Sequence, residues 1–461
     1  MSVLRRRSKP AVSDEEAVTD AVRFVDERLG VAPFIKATMS YLFPDNWTFL
    51  FGEIALYSFI VLLVTGTYLA FFFDPSTATT QYTGAYAPLH GATVSEAYNS
   101  TLGIVFDVPA GLTIRQTHHW AALVFVVAMI IHLMRVFFTG AFRKPRDLVY
   151  YLGLVMLMLT LLEGFLGYSL VDDLLSGMGL AIAYSVVLSL PVVGGNAALL
   201  MWGAPFPGPP EFEARMYVAH VFILPVAIAI LLSLHLLLIV ARHHTQFRHG
   251  DRSERRVVGL PAFPAYAPRS IGLAFAVAAV LVLLGGLVQI NPVWQWGPYE
   301  TAAATNGAQP DWYLGWLIGA LRLVPGFDVT IGDYTLIPNP FWGGALLPFV
   351  VFALLFAWPA IERRRTGDRE HHNLLDRPRN APWRTAVGAA ALTFLAVVFV
   401  AGSADRVEVS LGIPYAWQLW ILRAALLVAP PLVYVATRRI CVELTQRERS
   451  EVSRFSAPRA G

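Results

Sequence analysis

Eight long apolar runs punctuate the chain, near residues 49–73, 115–138, 148–170, 214–241, 269–290, 343–361, 386–402 and 415–437. Each is about as long as the ~18 residues that mark a membrane-crossing helix, or longer. A ninth run, LLSGMGLAIAYSVVLSLPVVGGNAALLMWG at 174–203, is long enough to compete. The distribution of arginine decides between eight and nine. With eight spans one side receives Arg5–Arg7, Lys9, Arg143, Lys144, Arg146, Arg242, Arg248, Arg252, Arg255, Arg256, Arg363–Arg365, Arg369, Arg377, Arg379, Arg438 and Arg439, and the other side little beyond Arg322 and Arg406. A ninth span would scatter these cations over both faces. The pattern therefore predicts an all-α polytopic membrane protein with eight transmembrane helices, both termini cytoplasmic. Gly177, Gly179, Pro191, Gly194 and Gly195 make 174–203 a helical hairpin on the outer surface. Three long outer connections, 74–114, 171–213 and 291–342, suggest a reactive site on that side.

Composition agrees: of 461 residues 56% are hydrophobic and only 15% charged, with a formal net charge of +3. Nothing in this balance points to a nucleic-acid partner; the expected surroundings are a lipid bilayer, the cell's plasma membrane. The one cysteine, Cys441, leaves no intrachain disulfide and no CxxCH for covalent haem, so any iron is held by something other than sulfur. The N-terminal basic residues have no apolar run behind them, so no cleaved signal peptide is expected. Val18, Val22, Val25 and Leu29 share one helical stripe, which suggests a short interfacial helix.

Polar residues inside the apolar runs carry the chemistry. RQTHHWAALVFVVAMIIHLMR (115–135) holds His118 and His132, 14 residues apart, within about 40° of whole helical turns and about 21 Å along the axis. The 214–241 run repeats the pattern with His220 and His235, 15 apart. Both helices run in the same direction by the charge argument, so His118 meets His220 at one depth and His132 meets His235 at another. Two facing imidazoles per level suit bis-histidine haem iron; zinc would want more ligands. Arg115, Arg135 and Arg215 lie at the depths where haem propionates would be; snorkelling accounts for Arg135 alone and less well for all three. Gly52 and Gly66 on the first run, and Gly153 and Gly167 on the third, are also 14 apart and can clear room for a flat macrocycle; ordinary small-residue helix packing would account for one such pair alone. His119, one residue round the helix from His118, is expected to point elsewhere.

Together these features resemble cytochrome b of the bc-type quinol:cytochrome c oxidoreductases, over nearly the whole chain. The carrying motifs are RxxH…HxxR, the paired glycines, RMYVAHVFILP…H, and Pro310-Asp311-Trp312-Tyr313, similar to the family's PEWY-type loop at the outer quinol site. GYSLVDDLLSGMG (167–179), with Gly177, looks like the hairpin that walls the same site. HHTQF at 243–247 and the PDWY form look most like the actinobacterial branch. The resemblance implies three parts: a cytoplasmic tail with interfacial helix (1–48), a dihaem four-helix bundle with its outer hairpin (49–241), and C-terminal helices with the quinol-site loop (242–461).

It also implies a mechanism. Quinol, in this branch menaquinol, is oxidised at the outer site; one electron goes to a Rieske iron–sulfur protein and the other crosses two non-covalent b-type haems to a quinone at an inner site. A cytochrome c subunit, a homodimeric complex and a haem–copper oxidase supercomplex are the expected assembly. Asp311 would take the quinol's proton, Tyr313 would hold the substrate or the carboxylate, and Pro310 and Trp312 would shape the pocket. Three departures stand out. Val171 occupies a position that is proline in many members, Asp311 replaces a longer glutamate, and Pro268-Arg269-Ser270 lacks the acid many relatives place on the inner side. His243 and His244 then become inner-site proton donors, or merely basic residues in an arginine-rich loop. The alternatives are a dihaem membrane anchor of another quinone-linked dehydrogenase, which has no use for the PDWY loop or for extra spans, and a proton-relay transporter, which binds no haem.

Overall fold

A computed structural model describes residues 24, 28, 30, 32–303 and 309–456; the stripe Val18, Val22, Val25 and Leu29 lies outside them. Among the described residues eight helices are long and apolar enough to cross a membrane: Trp47–Ala70, Gly111–Thr139, Asp147–Ser169, Glu211–Arg242, Ala262–Leu287, Phe341–Thr366, Pro382–Ala401 and Tyr415–Glu448. They coincide with the eight apolar runs and are called the first to eighth spans. Their outward faces carry bare Leu, Val, Ile and Phe side chains, and the apolar window of the eighth span buries nothing. Such surface is stable only against lipid. The chain is an integral membrane protein.

The ninth run forms two short helices, Leu174–Leu188 and Gly194–Trp202. Asp173 starts the first of these: its carboxylate accepts from Ser176 N at 2.7 Å, and Ser176 Oγ closes the capping box. The hairpin is pinned to the 291–342 connection, because Tyr299 N donates to Asp172 O at 3.0 Å and Leu174 N to Gly297 O at 3.0 Å. Two of the long connections thus form one wall on what we call the loop face; the opposite side is the arginine-rich face.

The first span packs on the second and the third on the fourth, while the fifth leans on the first two. Ala55, Phe59, Phe125, Ala128 and Ile228 fill the centre of the four-helix bundle, and the Phe59 and Phe125 rings stack at 5.5 Å. This apolar plug lies midway between His118 and His132. The seventh and eighth spans pair beside the bundle, and the sixth rests on the third.

Proline sets the local irregularities. The turn Ala219–Ile223 is widened to a π-helical one. Pro225, two residues on, has no N–H for the carbonyl of Val221, and its ring pushes that carbonyl away. The entrance of the sixth span, Phe341–Leu346, widens in the same way ahead of Pro348, whereas the entrance of the fifth, Ala262–Tyr266, is kinked at Phe263, whose backbone is extended.

Arginines on the arginine-rich face act as clamps. Arg146 donates to Arg242 O (2.8 Å), His243 O (2.7 Å) and His372 O (2.8 Å), tying the third span to the end of the fourth. Arg384, buried on the seventh span, binds Glu362 at 2.6 Å and Asp376 at 2.7 Å. The second span ends at Gly140 with φ +68°, a left-handed cap at which a side chain would also strike Arg384.

Candidate functional site

The histidines meet in the register the spacing implies. The rings of His118 and His220 lie with centroids 6.3 Å apart, nearly perpendicular. Each is oriented through Nδ1: Thr65 Oγ1 lies 2.9 Å from that of His118, while Glu163 O at 3.2 Å and Glu163 Oε1 at 3.0 Å meet that of His220. Fixing one ring nitrogen directs the other, Nε2, as the ligating atom. Two imidazoles sharing one metal, with metal–nitrogen bonds of about 2 Å, need a centroid separation of roughly 6 Å. The observed separation matches.

The four glycines each face one histidine. A Cβ built on Gly66 would lie 3.0 Å from His118 Cε1, and on Gly167 only 2.4 Å from His220 Cε1. On Gly52 it would lie 3.2 Å from His132, and on Gly153 3.8 Å from His235. The first and third spans thus run antiparallel to the second and fourth, with one glycine per ligand. At the arginine-rich level His132 Nδ1, His235 Nδ1 and Arg135 Nε are buried without a hydrogen-bond partner. Of these, Arg135 Nε is a donor at membrane depth with nothing to meet and points to a bound anionic group; the two Nδ1 atoms leave Nε2 of each ring free for a metal.

The arginines divide. Arg115 is buried at the loop-face level and donates to Asn291 O at 3.2 Å. Arg135 stacks over Phe49 at 4.2 Å and reaches Thr245 Oγ1 at 3.3 Å, turned inward rather than snorkelling. Arg215 folds beneath Gly203 of the hairpin, its Nη1 3.0 Å from where a Cβ would stand, and lies outside the cavity described next.

A cavity of about 240 Å³ opens between His118 and His220 and extends to Asp311 and Tyr313. Gly66, Gly167, Arg115, Glu163 and Val171 also line it. The expectation that His119 points elsewhere is corrected here: it lines the same cavity, and its Nε2 lies 2.7 Å from Asp311 Oδ1. One residue round from His118 is about 100°, enough to leave the ring pair while still facing the third outer connection. Tyr313 Oη donates to Asp311 Oδ2 at 3.2 Å. Burial and the adjoining Asp311 push the Tyr313 phenol well above its usual value, so it stays a donor. Gly164 makes room for that hydroxyl, since a Cβ there would stand 2.5 Å from it. Pro310 and Trp312 do not line the cavity, and Trp312 packs in an apolar cluster with Val126 and Leu314. Gly177 does not line the cavity either; it provides the gap filled by the Tyr299 ring.

At the arginine-rich face His244 Nδ1 lies 3.0 Å from the Tyr41 hydroxyl, and His243 stacks on the Tyr41 ring at 5.8 Å. Burial, then the charges of Arg146 and Arg135, push His244 down to about 4, so it is neutral at physiological pH. Two carboxylates escaped the reading of the sequence. Glu163 stands beside His220, and its signal was an acid one turn before Gly167 in an otherwise apolar run. Glu53, the one charged residue of the first span, accepts from Tyr266 Oη at 2.6 Å.

Known proteins are similar to this chain. Residues 123–298 match the family model described as cytochrome b(N-terminal)/b6/petB. The cytochrome bc1 complex cytochrome b subunit of Streptomyces coelicolor is 42% identical over 97% of this chain and 81% of its own length. Those of Corynebacterium diphtheriae and Mycobacterium tuberculosis are each 44% identical, over 92% of this chain and 78% and 77% of theirs. The chain belongs to the cytochrome b subunits of cytochrome bc1 complexes. A solved structure titled hyperthermophilic respiratory Complex III shares the fold, with a TM-score of 0.66 over 91% of this chain and 98% of that one at 18% identity. Membership implies b haem as cofactor. The paired imidazoles, the four glycine cradles and the unpartnered Arg135 Nε at the arginine-rich level are what such a group requires.

Proposed function

We propose that this chain oxidises quinol, of the menaquinol class, at the cavity on its loop face, as the cytochrome b subunit of a quinol:cytochrome c oxidoreductase. The observation that carries the reading is one continuous cavity holding both the His118–His220 ring pair and the Asp311–His119–Tyr313 triad. His118 with His220, and His132 with His235, would hold two b haems, which when bound supply one-electron carriers at two depths of the bilayer. A quinol hydroxyl entering the cavity would meet Asp311, whose carboxylate accepts the proton. His119, at 2.7 Å, shares that proton and stabilises the charge. Tyr313 orients the carboxylate by donating to its second oxygen. The apolar plug of Phe59, Phe125 and Ile228 keeps water out of the space between the levels.

The loop face is assigned to the outside and both termini to the cytoplasm, from the arginine asymmetry. A Rieske iron–sulfur protein docked on the loop face would take the other electron, and a cytochrome c subunit would receive it. A homodimeric complex, joined to a haem–copper oxidase, is the assembly proposed. In the isolated complex D311N should slow quinol oxidation by about a hundredfold or more, the usual weight of a positioned acid–base group. Haem content measured from the reduced-minus-oxidised spectrum should not change. An unaltered rate removes Asp311 from the mechanism; absence of a b-type spectrum in the wild type removes the reading itself.

A further inference from the structure

Glu53 sits beside Gly52, the residue that faces His132, and so lies at the depth of the arginine-rich histidine level. Three hydroxyl groups meet its carboxylate. Tyr266 Oη donates to Oε1 at 2.6 Å, Ser270 Oγ donates to Oε2, and Tyr57 Oη lies 3.5 Å from Oε2 and 2.5 Å from Ser270 Oγ. Glu53 and Tyr57 come from the first span, Tyr266 and Ser270 from the entrance of the fifth, and all four side chains are half-buried. An ionisable group at membrane depth is expensive to keep and marks a functional position. Its partners are hydroxyls. A hydroxyl can donate to a carboxylate or accept from a carboxyl group, which an arginine cannot do. The charged and titratable groups flanking these elements are Arg269, one residue before Ser270 and paired with Asp45 at 3.7 Å, and His132 of the second span, which faces the neighbouring Gly52.

The surroundings are aromatic. Tyr266 stacks on Phe43 at 3.9 Å, Phe43 lies 5.0 Å from His244, and Phe49 lies between His244 and the Arg135 guanidinium. The first-span carboxylate also restores the acid that Pro268-Arg269-Ser270 does not supply from the fifth. Neutral His244 has one ring nitrogen engaged by Tyr41, and so fits a hydrogen-bonding role better than proton supply.

Resting on the function proposed above, we propose that Glu53 donates the proton to a quinone reduced at the arginine-rich face, with Tyr266 and Ser270 holding its carboxyl. Reduction of one quinone takes two electrons, delivered by two turnovers of quinol oxidation, and two protons. In each transfer the Glu53 O–H breaks and an O–H forms on a quinone oxygen; water on the arginine-rich side then reprotonates the carboxylate.

The test uses the whole complex from native membranes. In E53Q, reoxidation of the arginine-rich-side haem by quinone should slow tenfold or more. Reduction of the loop-side haem by quinol should stay within about twofold. Redox-induced infrared difference spectra should lose a carboxyl band in E53Q and keep it in E53D. Reoxidation within twofold of the wild type, or an unchanged carboxyl band, overturns the proposal. Should E53Q lose the haem itself, Y266F and S270A take its place: slowing of reoxidation in both supports the proposal, and unchanged rates in both overturn it. A wild-type complex that shows no quinol-driven haem reduction would instead refute the proposed function.

Discussion

Alanine at the four cradle glycines should produce a graded loss of haem, and the grading comes from distances alone. At Gly167 the new methyl carbon would stand 2.4 Å from His220 Cε1, about 1 Å inside the closest comfortable contact. The His220 ring cannot simply swing away, because its Nδ1 is held by Glu163 through both the backbone carbonyl and the carboxylate. Overpacking of this kind costs about 1–3 kcal/mol. Loaded onto one ligand bond, that corresponds to roughly 5- to 150-fold weaker retention of the loop-side haem. At Gly153 the methyl would sit 3.8 Å from His235, an ordinary contact. G153A should therefore keep the arginine-rich-side haem. The assay is a reduced-minus-oxidised spectrum of each purified variant with a redox titration to separate the two haems. Equal loss in G167A and G153A, or loss in G153A alone, would refute the reasoning, because it would mean the glycines accommodate the macrocycle rather than the imidazole.

Two further outcomes can be checked on the same material. Replacing Arg384 by methionine leaves Glu362 buried without its 2.6 Å partner, which should destabilise the complex by about 3–5 kcal/mol. The E362L/R384M double variant should recover most of that in a thermal inactivation assay, and no recovery would show that the pair does more than neutralise itself. His244 is held near 4, below its ordinary 6.5. Between those pH values the unfolded chain binds a proton that the folded chain does not, so stability is complete above 6.5 and falls as pH drops towards 4. The gap amounts to at most about 3 kcal/mol, and H244N, which does not titrate, should flatten the acid side of a plot of thermal inactivation against pH.

Most of the architecture was legible in the sequence because a bilayer leaves few choices. Apolar length sets each span, the arginines choose the topology, and 14- and 15-residue spacings place four histidines and four glycines at two depths. Those are one-dimensional facts about helices, and they survive folding unchanged. Pairings between distant segments are different, because sequence spacing says nothing about which loop tip meets which helix face. His119 became part of the site only when the 291–342 connection brought Asp311 to it. Glu163 gained its place from the wide turn ahead of Pro225 that carries His220, and Glu53 from the entrance of the fifth span laying Tyr266 and Ser270 against the first. Arg215 and Gly177, which read as site residues in the chain, were drawn away into the hairpin and beneath Tyr299. Periodicity and charge were enough to decide what crosses the membrane and where the histidines and glycines stand along each helix. Which carboxylates, hydroxyls and third-party histidines join them was decided by tertiary contact alone, since those contacts link segments up to 217 residues apart.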